Sequence, residues 1–364
     1  MRKSAAIIYS ENEFGKLDGK VANGLVRQSD KYEILAVIDS HKAGCDAGEY
    51  LDGIKNGILV FKDMHEAIAH CNDIPEYFIY GIAPLEPQLS AQEKAIIHTA
   101  IKLGMNIVNG LPEYLSDDET CVALAKQYGV SIQDVRKPPA KKDLHMFTGE
   151  IMNVQTPIIS VAGTDCAVGK RTTALKLVEA LRKTGLNASF ITTGQTGLLQ
   201  GSKYGVAIDV LASGFATGEV EHAILRAEKE NPDIIVVEGQ GALSHQAFTS
   251  SSAIIRGAMP KAIILQHPPK RINRCDFPNI PMPTVESEIE LLQLFSKSKV
   301  IGITLNHENM SEKEISETVI AYEEKFDIPV TDVLVHGCDK LVEKLHEVFP
   351  ELIDIKPLLW QLQG

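Results

Sequence analysis

The stretch Val161–Thr173, VAGTDCAVGKRTT, constrains this chain more than any other. It closes the apolar run PIISVAG and opens a segment with Ala174, Leu177, Val178 and Leu181 at helical spacing. A buried strand that passes through a glycine turn straight into a helix belongs to a parallel α/β sheet. Such a turn gathers backbone N–H groups and the positive end of a helix at one point, where an anion with several oxygens can sit. Lys170 would reach the bridging oxygens of a polyphosphate. The candidate phosphate-binding residues are therefore Gly163, Thr164, Asp165, Cys166, Ala167, Val168, Gly169, Lys170, Arg171, Thr172 and Thr173. Two departures stand out. Five residues separate Gly163 from Gly169, where the common spacing is four. Arg171 occupies the place of the magnesium-binding Ser or Thr, so an oxygen would have to come from Thr172 or Thr173. Polyphosphate binding is expected, and magnesium-assisted hydrolysis is left open.

The rest of the chain repeats the strand–helix alternation. The runs AAIIY, YEILAVID, YFIYGIAP, MNIVNGL and VSIQDV read as strands of a first parallel sheet, with helices at Gly19–Gln28 and Ala91–Leu103. Asp39 ends the second of these strands, where a dinucleotide-binding domain grips ribose, but the first turn has no GxGxxG. Asp39 thus reads as a capping or loop carboxylate. The proline- and lysine-rich stretch Val135–His145 marks a seam. A second set of strands follows: PIISVAG, ASFITT, DIIVVEG, AIILQH, KVIGITLN and VTDVLVHG. The expected organisation is a Rossmann-like domain at 1–140, a linker at 141–156 and a nucleoside-triphosphatase-like α/β domain at 157–364.

Charge narrows the partners. Forty-eight acidic residues against 36 basic ones give a net charge of −12. That argues against nucleic acid and anionic membranes as general partners, though not against one basic pocket. Six scattered cysteines with no CxxC pair suggest neither zinc nor a disulfide framework. No run approaches a membrane span or a signal-peptide core. A cytoplasmic protein is expected, a homo-oligomer with a small-molecule substrate.

Further candidates cluster at strand ends of the second unit. Glu238 follows the β-branched run Ile234–Val237 and would emerge beside the loop. Thr193, Gly194, Gln195 and Thr196 form a loop of hydrogen-bonding and small residues suited to a substrate. His267, Lys270, Arg271 and Arg274 supply cations for a carboxylate or phosphate. His245 is a candidate general base.

The spelling GTDCAVGK is similar to the wide loop of the dethiobiotin synthetase group, whose acidic EGxG turn serves the metal. That resemblance implies a Mg site at Thr172 and Glu238, and a purine contact near Asn306. More widely, the ordered motifs GTDCAVGKRTT, TTGQTG, GVAIDV, GEVEHA, VEGQGALSH and HPPKR resemble the DgcN-like family, over nearly the whole chain. The resemblance implies an acetyl-CoA-dependent N-acetyltransferase acting on D-glutamate, with the loop cradling the phosphates of coenzyme A. Glu238, His245, Asp209 and Glu221 are then the candidate catalytic groups, and Arg171 and Arg271 the cations for a dicarboxylic acceptor. The alternatives are an ATP-dependent ligase or kinase of a small carboxylate, and a nucleotide-binding regulator without chemistry.

Overall fold

The computed structural model describes residues 2–83 and 88–353. Pro84, the last residue of the expected run YFIYGIAP, and the chain from 354 onwards lie outside the described residues. The chain divides into two compact units, Met1–Pro139 with Gln195–Ser202, and Ala140–Gly194 with Lys203–Gly364. Among the described residues, no helix is long and apolar enough to cross a membrane.

The first unit is built on strands β1 (Ser4–Tyr9), β2 (Tyr32–Ile38), β3 (Leu59–Phe61), β4 (Tyr77–Tyr80), β5 (Asn106–Asn109) and β6 (Ile132–Asp134). All pair in parallel, in the order β3-β2-β1-β4-β5-β6. The reversal of direction between β1 and β4 is the doubly wound, Rossmann-like arrangement. Helices α1 (Lys20–Arg27), α2 (Ala47–Asp52), α3 (Met64–His70), α4 (Ala91–Lys102) and α5 (Glu119–Tyr128) connect the strands. Asp39 caps the turn after β2. Its carboxylate accepts from the amides of Phe14 and His41 at 3.1 and 3.0 Å, so it ties down the first turn of the sheet.

The second unit carries β7 (Ile158–Gly163), β8 (Ala188–Thr192), β9 (Tyr204–Gly205), β10 (Ile234–Glu238) and β11 (Ala262–His267). A hairpin of β12 (Asn273–Arg274) and β13 (Phe277–Pro281) follows, then β14 (Lys299–Leu305) and β15 (Val330–Thr331). The main sheet is parallel, ordered β15-β14-β11-β7-β10-β8-β9, with β7 flanked by β10 and β11. Its helices are α6 (Lys170–Lys183), α8 (Ser213–Glu228), α9 (Ser250–Ala258), α10 (Val285–Ser296), α11 (Glu312–Phe326) and α12 (Asp339–Val348). α6 buries Ala174, Leu177, Val178 and Leu181 against Ile159, Val161, Val236 and Ile264. Each large side chain there contributes roughly 1.5–3 kcal/mol on burial, so the helix that carries Lys170 is held firmly.

Three stretches differ from expectation. Gln195 and Thr196, expected on a loop with Thr193 and Gly194, begin helix α7 (Gln195–Gln200), which clusters with the first unit. Six residues cannot sustain a helix alone; here Leu199 is buried with Val21 and Leu25, and the Gln200 amide donates to the carbonyls of Gly24 and Gln28. The stretch 141–156, expected as a linker, is fastened to α8. Ile151 and Val154 are buried with Val220 and Ile224, and Glu219 and Glu221 accept from the amides of His145, Thr148 and Ile151. The run VTDVLVHG stops pairing after Thr331, because Asp332 accepts from the amides of Leu334 and Val335 and turns the chain.

Candidate functional site

Strand order creates the site. β7 ends between β10 and β11, so the turns after Gly163, Glu238 and His267 meet at one sheet edge. The loop after β7 winds through residues 164–169 into α6. Ala167 and Gly169 have φ of 50° and 105°. Left-handed residues of this kind turn successive amides to one side and form an anion-binding hollow. Ala167 is a non-glycine held there, a backbone strain typical of functional sites.

Lys170 lies across Gly163. A Cβ on Gly163 would stand 2.8 Å from Lys170 Cδ, which is why only glycine fits. The ammonium is buried and donates to the carbonyl of Asp165 at 2.5 Å. Burial pushes its pKa below the ordinary lysine value, against the opposing pull of Cys166, Asp165 and Glu238. A buried, desolvated cation facing a left-handed turn is suited to an incoming anion.

The loop is clamped from behind. Arg271 donates to Asp165 Oδ2 at 3.0 Å and to the carbonyls of Cys166 and Ala167 at 2.8 and 3.3 Å. Its fork also grips both oxygens of Glu308, at 2.8 and 2.7 Å. Arg274 donates to the carbonyl of Thr164 and to Ser244, and its guanidinium stands 3.6 Å from Asp165 Oδ1. Asn306 holds the carbonyl of Val168 at 3.0 Å while its own oxygen accepts from Glu308 N–H. Thr164 bonds His267 Nδ1 at 2.9 Å, and burial lowers the His267 pKa to about 4, keeping the ring neutral.

These contacts correct several expectations. Arg271, expected to bind substrate, and Asn306, expected at a purine, have their side-chain polar atoms committed to the loop and its supports, while His267, also expected at the substrate, is buried with its Nδ1 on Thr164. Lys270 pairs with Glu314 instead. Thr193 is buried, its hydroxyl donating to the Glu238 carbonyl and its amide to Glu238 Oε2. Gly194 lies against Gln240, since a Cβ would meet its Nε2 at 2.4 Å. Gln195 and Thr196 are on α7 in the first unit.

Of the four catalytic candidates, Glu238 and His245 lie at the loop. Glu238 pairs in register with Val161 at the end of β10, and its Oε2 also accepts from the Thr192 hydroxyl. Glu221 is spent on the amides of Thr148 and Ile151. Asp209 is exposed on the turn after β9, next to Ile208, whose amide donates to the Thr193 carbonyl at 3.1 Å. His245 is buried, and its Nδ1 accepts from the Ala247 amide at 3.1 Å. In the neutral ring the proton is then on Nε2, 3.5 Å from Asp165 Oδ1. The ring therefore has no lone pair free to act as a base.

The same tautomer bears on a metal. Ligand atoms of Asp165, Cys166 and His245 lie within 4.8 Å of one another. A cation there would need the Nε2 lone pair, which the bond to Ala247 denies it. The Cys166 thiol is drawn below its ordinary pKa by a hydrogen bond from Cys275, assisted by Lys170.

The supports that sequence reasoning missed are Gln266 and Glu308. Gln266 Oε1 accepts from the hydroxyls of Thr173 and Thr304, and its carbonyl accepts from Thr164 N–H. A polar residue inside the apolar run AIILQH was the available signal.

A central parallel strand that ends in a clamped Gly-Lys turn at a helix N-terminus defines a P-loop nucleotide-binding domain. Family comparison agrees for both units. Residues 145–342 match the P-loop domain and residues 40–138 the Rossmann-like domain of a family described as DUF1611, a domain of unknown function. The chain belongs to this family. A crystal structure of a DUF1611 family protein from Anabaena variabilis superposes with a TM-score of 0.87 at 31% identity, covering 95% of this chain and 100% of that one. A protein from a Pseudoalteromonas species named D-glutamate N-acetyltransferase is 32% identical over 274 residues, 74% of this chain and 80% of its own. One of the same name from Tritonibacter scottomollicae is 29% identical over 276 residues, covering 74% and 81%.

Proposed function

We propose that this protein is an acetyl-CoA-dependent N-acetyltransferase for an acidic amino acid, with D-glutamate the first acceptor to test. The observation that carries the reading is the likeness to two relatives of that name across three-quarters of the chain. The loop suits the ligand. Its left-handed turn, the end of α6 and the buried Lys170 fit a diphosphate, which coenzyme A carries. Acetyl-CoA would supply an acyl group already activated as a thioester.

On this reading the loop is a handle and need not break a phosphate bond. Lys170 and the loop amides hold the diphosphate, and Glu238 balances the lysine charge. Arg271, Arg274 and Asn306 act one step back, by fixing the loop's carbonyls. The acceptor ammonium must lose a proton before it attacks, and Glu238 is the candidate base left at this sheet edge.

The test is thiol release from acetyl-CoA with a panel of acidic amino acids that includes both enantiomers of glutamate. Release that requires an acidic acceptor supports the proposal. A rate equal to the enzyme-free control for every acceptor ends it. ADP formation from ATP and magnesium with a small carboxylate would favour the ligase reading instead.

A further inference from the structure

A histidine that the sequence motifs did not single out is poised as a base near the loop. β14 ends at Leu305, and Asn306, His307 and Glu308 follow it. Asn306 holds the carbonyl of Val168 at 3.0 Å, and Glu308 grips Arg271, which holds the carbonyls of Cys166 and Ala167. His307 is thus set between a residue that touches the loop and one that touches its clamp. Its Nδ1 stands 2.7 Å from Asp332 Oδ2. Asp332 is buried, and its Oδ1 accepts from the amides of Leu334 and Val335 at 3.0 and 3.3 Å. A carboxylate can only accept, so Nδ1 of the neutral ring carries the proton. Nε2 keeps its lone pair, and among the described residues no group bonds to it; the side chain is 40% exposed. His245 is the opposite case, since its Nδ1 accepts from Ala247 and its Nε2 bears the proton. A buried carboxylate that selects the tautomer and aims the ring is what a histidine base requires.

We propose that His307, held by Asp332, is the base that takes the proton from the acceptor ammonium. The assignment rests on the acetyltransferase reading and moves this role away from Glu238. Glu238 has Oε2 on Thr192 and Thr193, and its charge faces the buried Lys170. It therefore stands by the diphosphate, from which a long flexible arm separates the thioester of acetyl-CoA. Leu334 and Val335, each 46% exposed and adjoining Asp332, offer apolar surface to that arm. His307 Nε2 removes one proton from the ammonium, and the freed nitrogen lone pair attacks the thioester carbonyl carbon. As the C–S bond breaks, the nitrogen loses a second proton to water and Nε2–H returns the first to the departing sulfur. The products are the N-acetyl amino acid, the CoA thiol and one proton.

Thiol release by the full chain from acetyl-CoA and D-glutamate, together with calorimetric titration by CoA, tests the assignment. His307→Gln should lower kcat roughly a hundredfold or more, while the Kd for CoA changes less than about threefold. His307→Ala, measured alongside, guards against a folding defect peculiar to the glutamine, and retained CoA binding shows that each variant is folded. In Asp332→Asn the amide oxygen must stay with the Leu334 and Val335 N–H groups, so the NH2 turns to Nδ1. The ring proton should then move to Nε2 and kcat should fall by a similar factor. Nitrogen NMR of the histidine rings reads that move, which a merely structural pair would not couple to rate. A proton that moves to Nε2 with turnover unchanged would overturn the assignment. An active wild type whose His307 variants keep kcat within about threefold would overturn it too, leaving the acetyltransferase reading in place. CoA affinity that falls by about tenfold along with the rate would make His307 a support of the loop instead, and so also counts against it. No release by the wild type with any acidic amino acid ends the acetyltransferase reading and this assignment together.

Discussion

Arg271 offers the sharpest perturbation, because sequence and structure assign it different work. As a substrate residue it would matter only to the acceptor. As a clamp it holds the loop. Its side chain is 11% exposed and its partner Asp165 fully buried. Arg271→Ala would leave the Asp165 carboxylate with Cys275 N–H at 2.8 Å and Arg274 at 3.6 Å. It would also orphan the carbonyls of Cys166 and Ala167, while Glu308, at 29% exposure, can turn to water. Removing one partner of a buried pair costs about 3–5 kcal/mol, and the remaining donors to Asp165 put this case near the lower end. The expected result is a loss of about 3 kcal/mol in the unfolding transition of the second unit. Hydrogen exchange at residues 164–169 should accelerate, and affinity for CoA should fall at least tenfold. Urea unfolding read by two probes separates the units, since one transition cannot be assumed for the whole chain. Arg271→Lys should lie between, keeping the charge and losing the fork. Unchanged stability and CoA affinity, with only the acceptor KM raised, would refute the clamp and restore Arg271 to the substrate.

Other expectations follow from the same geometry. Lys170→Ala should lower affinity for CoA or ADP by roughly ten- to a hundredfold with little loss of thermal stability, because the ammonium is already desolvated; titration calorimetry and a thermal melt read the two effects. His267 has its pKa depressed from 6.5 to about 4. The unfolded chain then binds the extra proton first, so stability is intact above pH 6.5 and is lost as pH falls towards 4, by about 3 kcal/mol. In His267→Gln that part of the slope should vanish, and an unaltered difference between the two proteins from pH 7 to 4 would contradict it. Gly239→Ala would place a Cβ 2.3 Å from the Val161 carbonyl, across the strand pair that sets the site. A loss of about 2–3 kcal/mol is expected, and a melting temperature equal to wild type would show that the strands part easily.

What the sequence determined alone was whatever is local in the chain. The run PIISVAG, the Gly-Lys turn and the spacing of Ala174, Leu177, Val178 and Leu181 fix strand, turn and helix through periodicity and backbone sterics. Alternation of such units dictated parallel sheets, and both sheets are parallel. The occupants of the space behind the loop were a different matter. Arg271 meets Asp165 across 106 positions, and Gln266 meets Thr173 across 93. Only the order of β7, β10 and β11 brings those residues within reach. A cation-rich run such as HPPKRINR reads the same whether it faces a ligand or its own protein; tertiary packing turned Arg271 and Arg274 inward. Packing also made a helix of Gln195–Gln200, too short to persist alone, and set it in the first unit. His245 shows the same division. Its presence was legible, but the single backbone amide of Ala247 decides which nitrogen carries the proton, and with it whether the ring can act as a base.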